Sequence, residues 1–459
     1  MRRWWGKIYA AFAPAPASAK ASKGKSILMT TLASPVSGDA ITALGAQFAT
    51  VRRQSLALCE TLTPEDMMVQ SLPEGSPAKW HLAHTTWFFE TFILREFVSG
   101  YQPLHPDFLW LFNSYYNGVS DQPEKTLRAI FSRPAFVDIL AYRRHVEDAI
   151  AFMLDHEPAQ EALTRLVLGL HHEQQHQELL LTDIKHALWS NPLRPIYREG
   201  VLSTHAQAAP LVWHEYEGGL REVGFEGDEF CFDNELPRHA VYLHPFRIAS
   251  RAVTCTEYLE FIEDGGYHRS ELWLSAGWDA VREHGWQAPL YWQREGSAWQ
   301  VFTLHGPADF GTLRDTPVCH ISHFEADAYA RWRGLRLPTE FEWEVAASPV
   351  PTHGNLLEGG RLHPSVALPP ASGNANRHPL QLYGDVWEWT ASAYLGYPGY
   401  RPVPGALGEY NGKFMSGQMV LRGGSCVTPA THIRATYRNF FSPATRWQFS
   451  GVRLAQDVS

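Results

Sequence analysis

The chain has 459 residues, enough for two or three domains that each bury a core, and 45% of them are apolar with 17 tryptophans, which excludes a disordered or fibrous class. Lys and Arg number 39 against 48 Asp and Glu, and the net charge of −9 with no basic patch excludes a nucleic-acid partner. The five cysteines (Cys59, Cys231, Cys255, Cys319, Cys426) show no CxxC spacing, so reduced thiols in a cytoplasmic protein are expected rather than a disulfide framework or zinc ribbon. The first stretch, MRRWWGKIYAAFAPAPASAKASKGKS, carries six basic residues and no acid, a composition of transit peptides and of disordered tails, without an apolar signal core. Residues 1–38 are read as such a tail, with Met29 as an alternative start. No run of about 18 apolar residues follows, so no membrane partner is expected.

From about residue 40 to 190, apolar residues recur at helical spacing in four segments, roughly 40–60, 77–98, 135–154 and 160–189. Four helices of that length predict a bundle. Ser76 before Pro77 supplies an expected N-cap and first-turn proline for the second helix. The stretch between the second and third helices, LHPDFLWLFNSYYNGVSDQPEKTLRAIFSRP, is long for a bundle connection, and such loops tend to be functional. Beyond NPLRPIYREG the texture changes to short apolar runs broken by Gly, Pro, Asn and Trp, which predicts short strands, short helices and ordered loop, with a boundary near 192–212. Val386, Trp387 and Trp389 in GDVWEWT read as core of that second region.

The fourth helix holds LGLHHEQQHQELLL. Stepping by four gives Leu168, His172, His176, Leu180 and Ile184 as one stripe, so both histidines face the core. An i, i+4 pair places its Cβ atoms about 5–6 Å apart, and spacing alone leaves two readings standing: satisfied core histidines, or two ligands of one metal ion. Glu178 looks like a carboxylate ligand but lies about 200° around the helix from His176, and His171 lies about 100° off the stripe. A third ligand must come from another helix. In KWHLAHTTWFFE, His84 shares its stripe with Trp80, Phe88 and Phe92, whereas His81 falls with Pro77 and Thr85; His84 is the favoured partner. Three neutral imidazoles leave positions open, the arrangement of a catalytic rather than a structural metal.

The LAH helix, HEQQHQE on a later helix, and RLPTEFEWE, GDVWEWT, LRGGS and RATYRN further on together resemble the EgtB family, the hercynine-dependent sulfoxide synthases of ergothioneine biosynthesis. The likeness spans about residues 40 to 456. It implies an α+β chain of two domains: a DinB-like four-helix bundle over 39–192, a linker over 193–212, and a formylglycine-generating-enzyme-like (C-type-lectin-like) mixed domain with little regular secondary structure over 213–457. It further implies a non-haem Fe(II) enzyme that couples a thiol to C2 of the imidazole of hercynine and oxidises the sulfur with O2. The family's iron-binding histidines fall on His84, His172 and His176. Gln175 matches the glutamine that holds the trimethylhistidine imidazole, and Asn439, in YRNFF, an asparagine of the substrate pocket, with Phe440 where one branch has tryptophan.

Departures from the family pattern bear on the sulfur donor. The branch that uses γ-glutamylcysteine has an aspartate where this chain has Phe441. Tyr115 and Tyr116 in NSYY resemble the tyrosine pair of the branch that takes free cysteine, and Arg128 is among the few arginines that follow. Free L-cysteine is therefore the expected donor, with a selenosugar, as in the selenoneine synthases, as the alternative. Tyr115, with Tyr116 as partner, is expected to deliver a proton that steers oxidation from thiol dioxygenation to C–S bond formation; without the resemblance both read as loop aromatics packed on the second domain. Phe440 and Phe441 would face the trimethylammonium, which cannot donate hydrogen bonds and needs aromatic faces or carbonyls. Only Cys426 follows GGS, so the cysteine-pair chemistry of the formylglycine-generating enzymes is not expected. A different class altogether is a metal-free DinB-like binding protein whose polar belt only specifies the bundle.

Overall fold

The computed structural model describes residues 37–200, 202, 206–368 and 378–458. The tail expected over 1–38, Met29 included, lies almost wholly outside the described residues.

Four helices, Gly38–Ala57, Ala78–Phe89, Phe136–Leu154 and Gln160–Ser190, pack against one another as a bundle. The second is buried along its whole length, from Ala78 to Phe89, and runs on through a π-helical turn at Glu90–Leu94 to Phe97. Ser76 does not cap it. Pro77 occupies the N-cap with extended backbone and no side-chain bond to the helix, while Ser76 Oγ accepts from Arg128 Nη1 at 2.8 Å. The buried guanidinium outcompetes the helix amides for that hydroxyl because its hydrogen bond is charge-assisted. Close approach of the second and fourth helices depends on Gly169: a Cβ there would lie 2.4 Å from Cε1 of Phe89.

The polar residues of HHEQQHQE each have a separate destination around the fourth helix. Glu173 turns into the bundle, where it accepts from Arg52 Nη1 at 3.0 Å, Arg143 Nη2 at 3.2 Å and Ser55 Oγ at 2.6 Å. Gln177 donates to the carbonyl of Val51. His171 stacks on Phe230 and contacts His432, and Gln174 donates to Thr431, all from the C-terminal region. Glu178 accepts from Trp387 Nε1, Ser425 Oγ and Thr428 Oγ1 of the same region. At about 100° per residue a helix shows a different neighbour to each successive side chain, so one helix serves core, cluster and domain contact at once.

The loop from 98 to 135 carries a single α-turn at Phe108–Leu111 and a 3-10 turn at Lys125–Ile130. The C-terminal region is a mixed α+β domain of short elements. Its largest sheet has the strand order β3 (Asn439–Phe441), β2 (Met419–Arg422), β1 (Trp387–Ala393), β4 (Ser450–Gly451), antiparallel except for the β1–β4 pair. Trp387 and Trp389 are buried, as core residues of β1 should be. Arg422 and Arg453 are buried too, paired with Glu340 and Glu344 and with Glu388. All five cysteines are buried and unbridged. Among the described residues no helix is long and apolar enough to cross a membrane.

Candidate active site

His84, His172 and His176 converge between the second and fourth helices, each offering a ring nitrogen within 4.8 Å of the others, and this is the one such cluster of histidine, cysteine or acidic ligand atoms among the described residues. Ring centroids are 5.0 Å apart for His84 and His172, 4.8 Å for His84 and His176, and 4.6 Å for His172 and His176. Burial holds all three imidazoles neutral, well below the ordinary 6.5, and their mutual repulsion adds to it. Neutral imidazole is the metal-binding form.

The donor set fits a metal ion. His84 donates from Nδ1 to the carbonyl of Phe112 at 2.7 Å, which leaves its Nε2 lone pair on the cluster side, and that atom is buried without a partner. Both ring nitrogens of His172 are buried and unpartnered as well. An unsatisfied buried polar atom costs about 1–3 kcal/mol, a cost that coordination would remove. Two further residues back the cluster: His81 Nδ1 lies 2.8 Å from His176 Nδ1, and His81 Nε2 lies 3.0 Å from Asp183 Oδ2. Face arithmetic sets His81 aside, yet on a helix buried all round an off-stripe residue still meets a neighbour.

The cluster opens on a cavity of about 640 Å³ between bundle and C-terminal domain, lined by His172, His176, Gln175, Tyr115, Arg128, Asn439, Phe440 and Phe441 among others. The sequence-predicted site residues thus come together, except that His84 and Tyr116 stand behind the wall. Gln175 is clamped: its Nε2 donates to Tyr437 OH at 2.7 Å, and its Oε1 accepts from Tyr410 OH. Tyr410 and Tyr437 belong to irregular stretches of the second domain, where no periodicity marks them beforehand. Glu178 borders the same cavity but contributes no ligand atom to the cluster, and its carboxylate ties the domains together instead.

Tyr115 stacks on Tyr116 at 4.6 Å between centroids, with the two hydroxyls 3.5 Å apart. Tyr115 in turn meets Phe414 edge-on, and Phe414 stacks with Phe440, which stacks on Tyr394, so the bundle loop and the YRNFF strand share one aromatic column. Tyr115 thus packs on the second domain through Phe414 and also lines the cavity, whereas Tyr116 packs within the bundle against Trp87, Phe88 and Phe92. Burial pushes the Tyr115 hydroxyl up to about 12 and raises that of Tyr116 well above its ordinary 10. Arg128 lies flat over Trp80 at 3.5 Å, and Trp80 stacks on His84 at 4.5 Å. Among the described residues Arg128 donates to two hydroxyls, Ser76 Oγ and Ser114 Oγ, and burial lowers it to about 9. Cys426 is buried and its thiol is pushed up by burial, the reverse of a reactive cysteine.

The family of the sulfatase-modifying factor enzyme 1-like domain matches residues 211–458. Over 449 residues the chain is 32% identical to a hercynine oxygenase of Mycolicibacterium smegmatis, covering 90% of this chain and 99% of the relative. A hercynine oxygenase of Mycobacterium tuberculosis is likewise 32% identical over 437 residues, with 90% and 99% covered. A formylglycine-generating enzyme of Streptomyces coelicolor is 29% identical over 268 residues, 50% of this chain and 84% of that one. Identity that extends through bundle and C-terminal domain alike, rather than through the second domain alone, places the chain in the hercynine oxygenase family.

Proposed function

We propose that the protein is a non-haem Fe(II) sulfoxide synthase of ergothioneine biosynthesis, joining the sulfur of free L-cysteine to C2 of the hercynine imidazole with O2. The balance closes without another reductant. The thiol S–H and the imidazole C2–H are lost, a C–S and an S–O bond form, and the four electrons released reduce O2 to the sulfoxide oxygen and one water. The observation that carries this reading is the convergence of three neutral imidazoles, whose buried nitrogens include three with no partner among the described residues, beside a cavity lined by a clamped glutamine, a protonated tyrosine and an arginine bonded to hydroxyls.

Ferrous iron held by His84, His172 and His176 would supply dioxygen activation and acidify the donor thiol, with positions left open for both. The protein's own residues do the rest. Gln175, fixed by Tyr410 and Tyr437, cannot rotate and so presents one orientation of its amide to the substrate imidazole. Asn439, Phe440 and Phe441 line the part of the cavity suited to a quaternary ammonium, which binds to aromatic faces. Arg128 offers its guanidinium to the donor carboxylate, an ion pair that its neutral hydroxyl partners, Ser76 and Ser114, do not provide. Tyr115, raised to about 12, keeps its proton at neutral pH and acts as a donor, not a base, with Tyr116 behind it.

The test is anaerobic loading with Fe(II), followed by hercynine and O2 with cysteine, γ-glutamylcysteine or a selenosugar in separate reactions. About one iron per chain, lost on His172→Ala or His176→Ala, and sulfoxide from cysteine are expected. Sulfoxide from γ-glutamylcysteine alone overturns the donor assignment. Iron content near zero leaves a metal-free bundle protein, and iron content indifferent to both substitutions overturns the three-histidine iron site.

A further inference from the structure

Beside His176, along the cavity wall, a chain of hydrogen bonds joins Asp183, His81 and His176. Asp183 Oδ2 lies 2.7 Å from the backbone nitrogen of Ser76 and 3.0 Å from His81 Nε2, and His81 Nδ1 lies 2.8 Å from His176 Nδ1. Asp183 Oδ2, already the acceptor of the Ser76 amide, takes the proton of His81 Nε2 as well, which leaves Nδ1 of that imidazole to accept. The contact between the two Nδ1 atoms then requires the proton to sit on His176. With Nδ1 protonated, the lone pair of His176 is on Nε2, the nitrogen left for the cluster with His84 and His172.

We infer that Asp183 and His81 are positioning residues that lock His176 in the tautomer presenting an Nε2 lone pair to the three-histidine cluster. The inference rests on the metal reading of that cluster only for its consequence, not for the tautomer itself. His84 is set separately, by the Phe112 carbonyl, and His172 has no partner on either nitrogen. Two of the three ligands are thus oriented before any ion arrives, each by an acceptor of its own. Loss of the Asp183–His81 pair frees His176 alone. The same carboxylate oxygen holds the backbone of Ser76, whose hydroxyl accepts from Arg128, so the metal ligand and the donor-site cation share one scaffold.

Two measurements test this. In the metal-free protein, long-range proton–nitrogen NMR reads the His176 tautomer directly: the Nδ1–H form is expected, and a dominant Nε2–H form overturns the inference whatever the metal does. Titration with Co(II), a spectroscopic stand-in for Fe(II), reads the consequence. His81→Phe, which removes the acceptor, is expected to weaken binding about 10–100-fold, the usual cost of losing an outer partner of a ligand histidine. His81→Asn, whose side-chain oxygen can stand near the Nδ1 position, is expected to restore affinity to within about threefold of the parent. Asp183→Ala, which frees His81 to take either tautomer, falls at the lower end of the first range and serves if the Phe variant does not fold. Co(II) affinity and absorption unchanged in His81→Phe, or Phe and Asn variants equally impaired, overturn the relay. A parent chain that binds no Co(II) overturns the metal reading and leaves the NMR result to decide the tautomer.

Discussion

Replacing Glu178 separates its role as a domain tie from the ligand role that HxxxHxE suggests. Its carboxylate is 4% exposed, has no cationic partner, and accepts from Trp387 Nε1 at 2.5 Å, Ser425 Oγ at 2.9 Å and Thr428 Oγ1 at 2.8 Å. Hydrogen bonds to a charged group contribute about 1.5–3 kcal/mol each, so three give at most about 9 kcal/mol. The full figure is not reached in Glu178→Ala, because Ser425 Oγ and Thr428 Oγ1 lie 3.2 Å apart and can pair with each other, leaving the Trp387 indole N–H as the one orphan. A loss of about 1–3 kcal/mol is therefore expected, the cost of one buried donor left unsatisfied. Urea unfolding followed by tryptophan fluorescence measures it, alongside Co(II) affinity of the folded variant. A loss below about 1 kcal/mol refutes the tie. Tenfold weaker Co(II) binding with stability intact refutes the geometry that excludes Glu178 from the cluster.

Other consequences are equally specific. Lys185 is fully buried, bonded to His320 Nε2 at 2.7 Å, and burial lowers it from 10.5 to about 8. A depressed lysine favours the neutral folded form, so its stability contribution is complete above 10.5 and is lost as pH falls through about 8. Relative to Lys185→Met, the parent should gain roughly 3 kcal/mol between pH 7 and pH 10.5 in paired denaturation curves, and a flat difference contradicts the assignment. Arg128→Gln should raise the KM for cysteine about 10–100-fold, the equivalent of one charge-assisted bond, with iron content unchanged; an unaltered KM removes Arg128 from the donor site. Tyr115→Phe should shift product toward cysteine sulfinate, read by mass spectrometry of the reaction mixture, and an unchanged product ratio removes its hydroxyl from the proton step.

Much of the site was legible because it lies on helices. The 3.6-residue period aligns His172 with His176 and singles out His84, and the same period removes Glu178 from the ligands; the structure agrees with each of these placements. What was illegible depends on partners distant in sequence. His81 is off the stripe by angle, yet Asp183, 102 residues on, gives it a buried partner, and only the fold brings the two together. Ser76 has the residue type of a cap but is claimed by Arg128, 52 positions away. Tyr410 and Tyr437, which clamp Gln175, come from loops of the second domain whose conformation follows from its core rather than from local pattern. The four helix spans themselves, fixed by long periodic segments, differ from expectation by only a few residues at each end.

Mass spectrometry of the product formed from hercynine, L-cysteine and 18O2 by the iron-loaded chain tests the proposed reaction most directly. A hercynylcysteine sulfoxide carrying a single 18O atom is expected. Cysteine sulfinate with unreacted hercynine as the only outcome contradicts it.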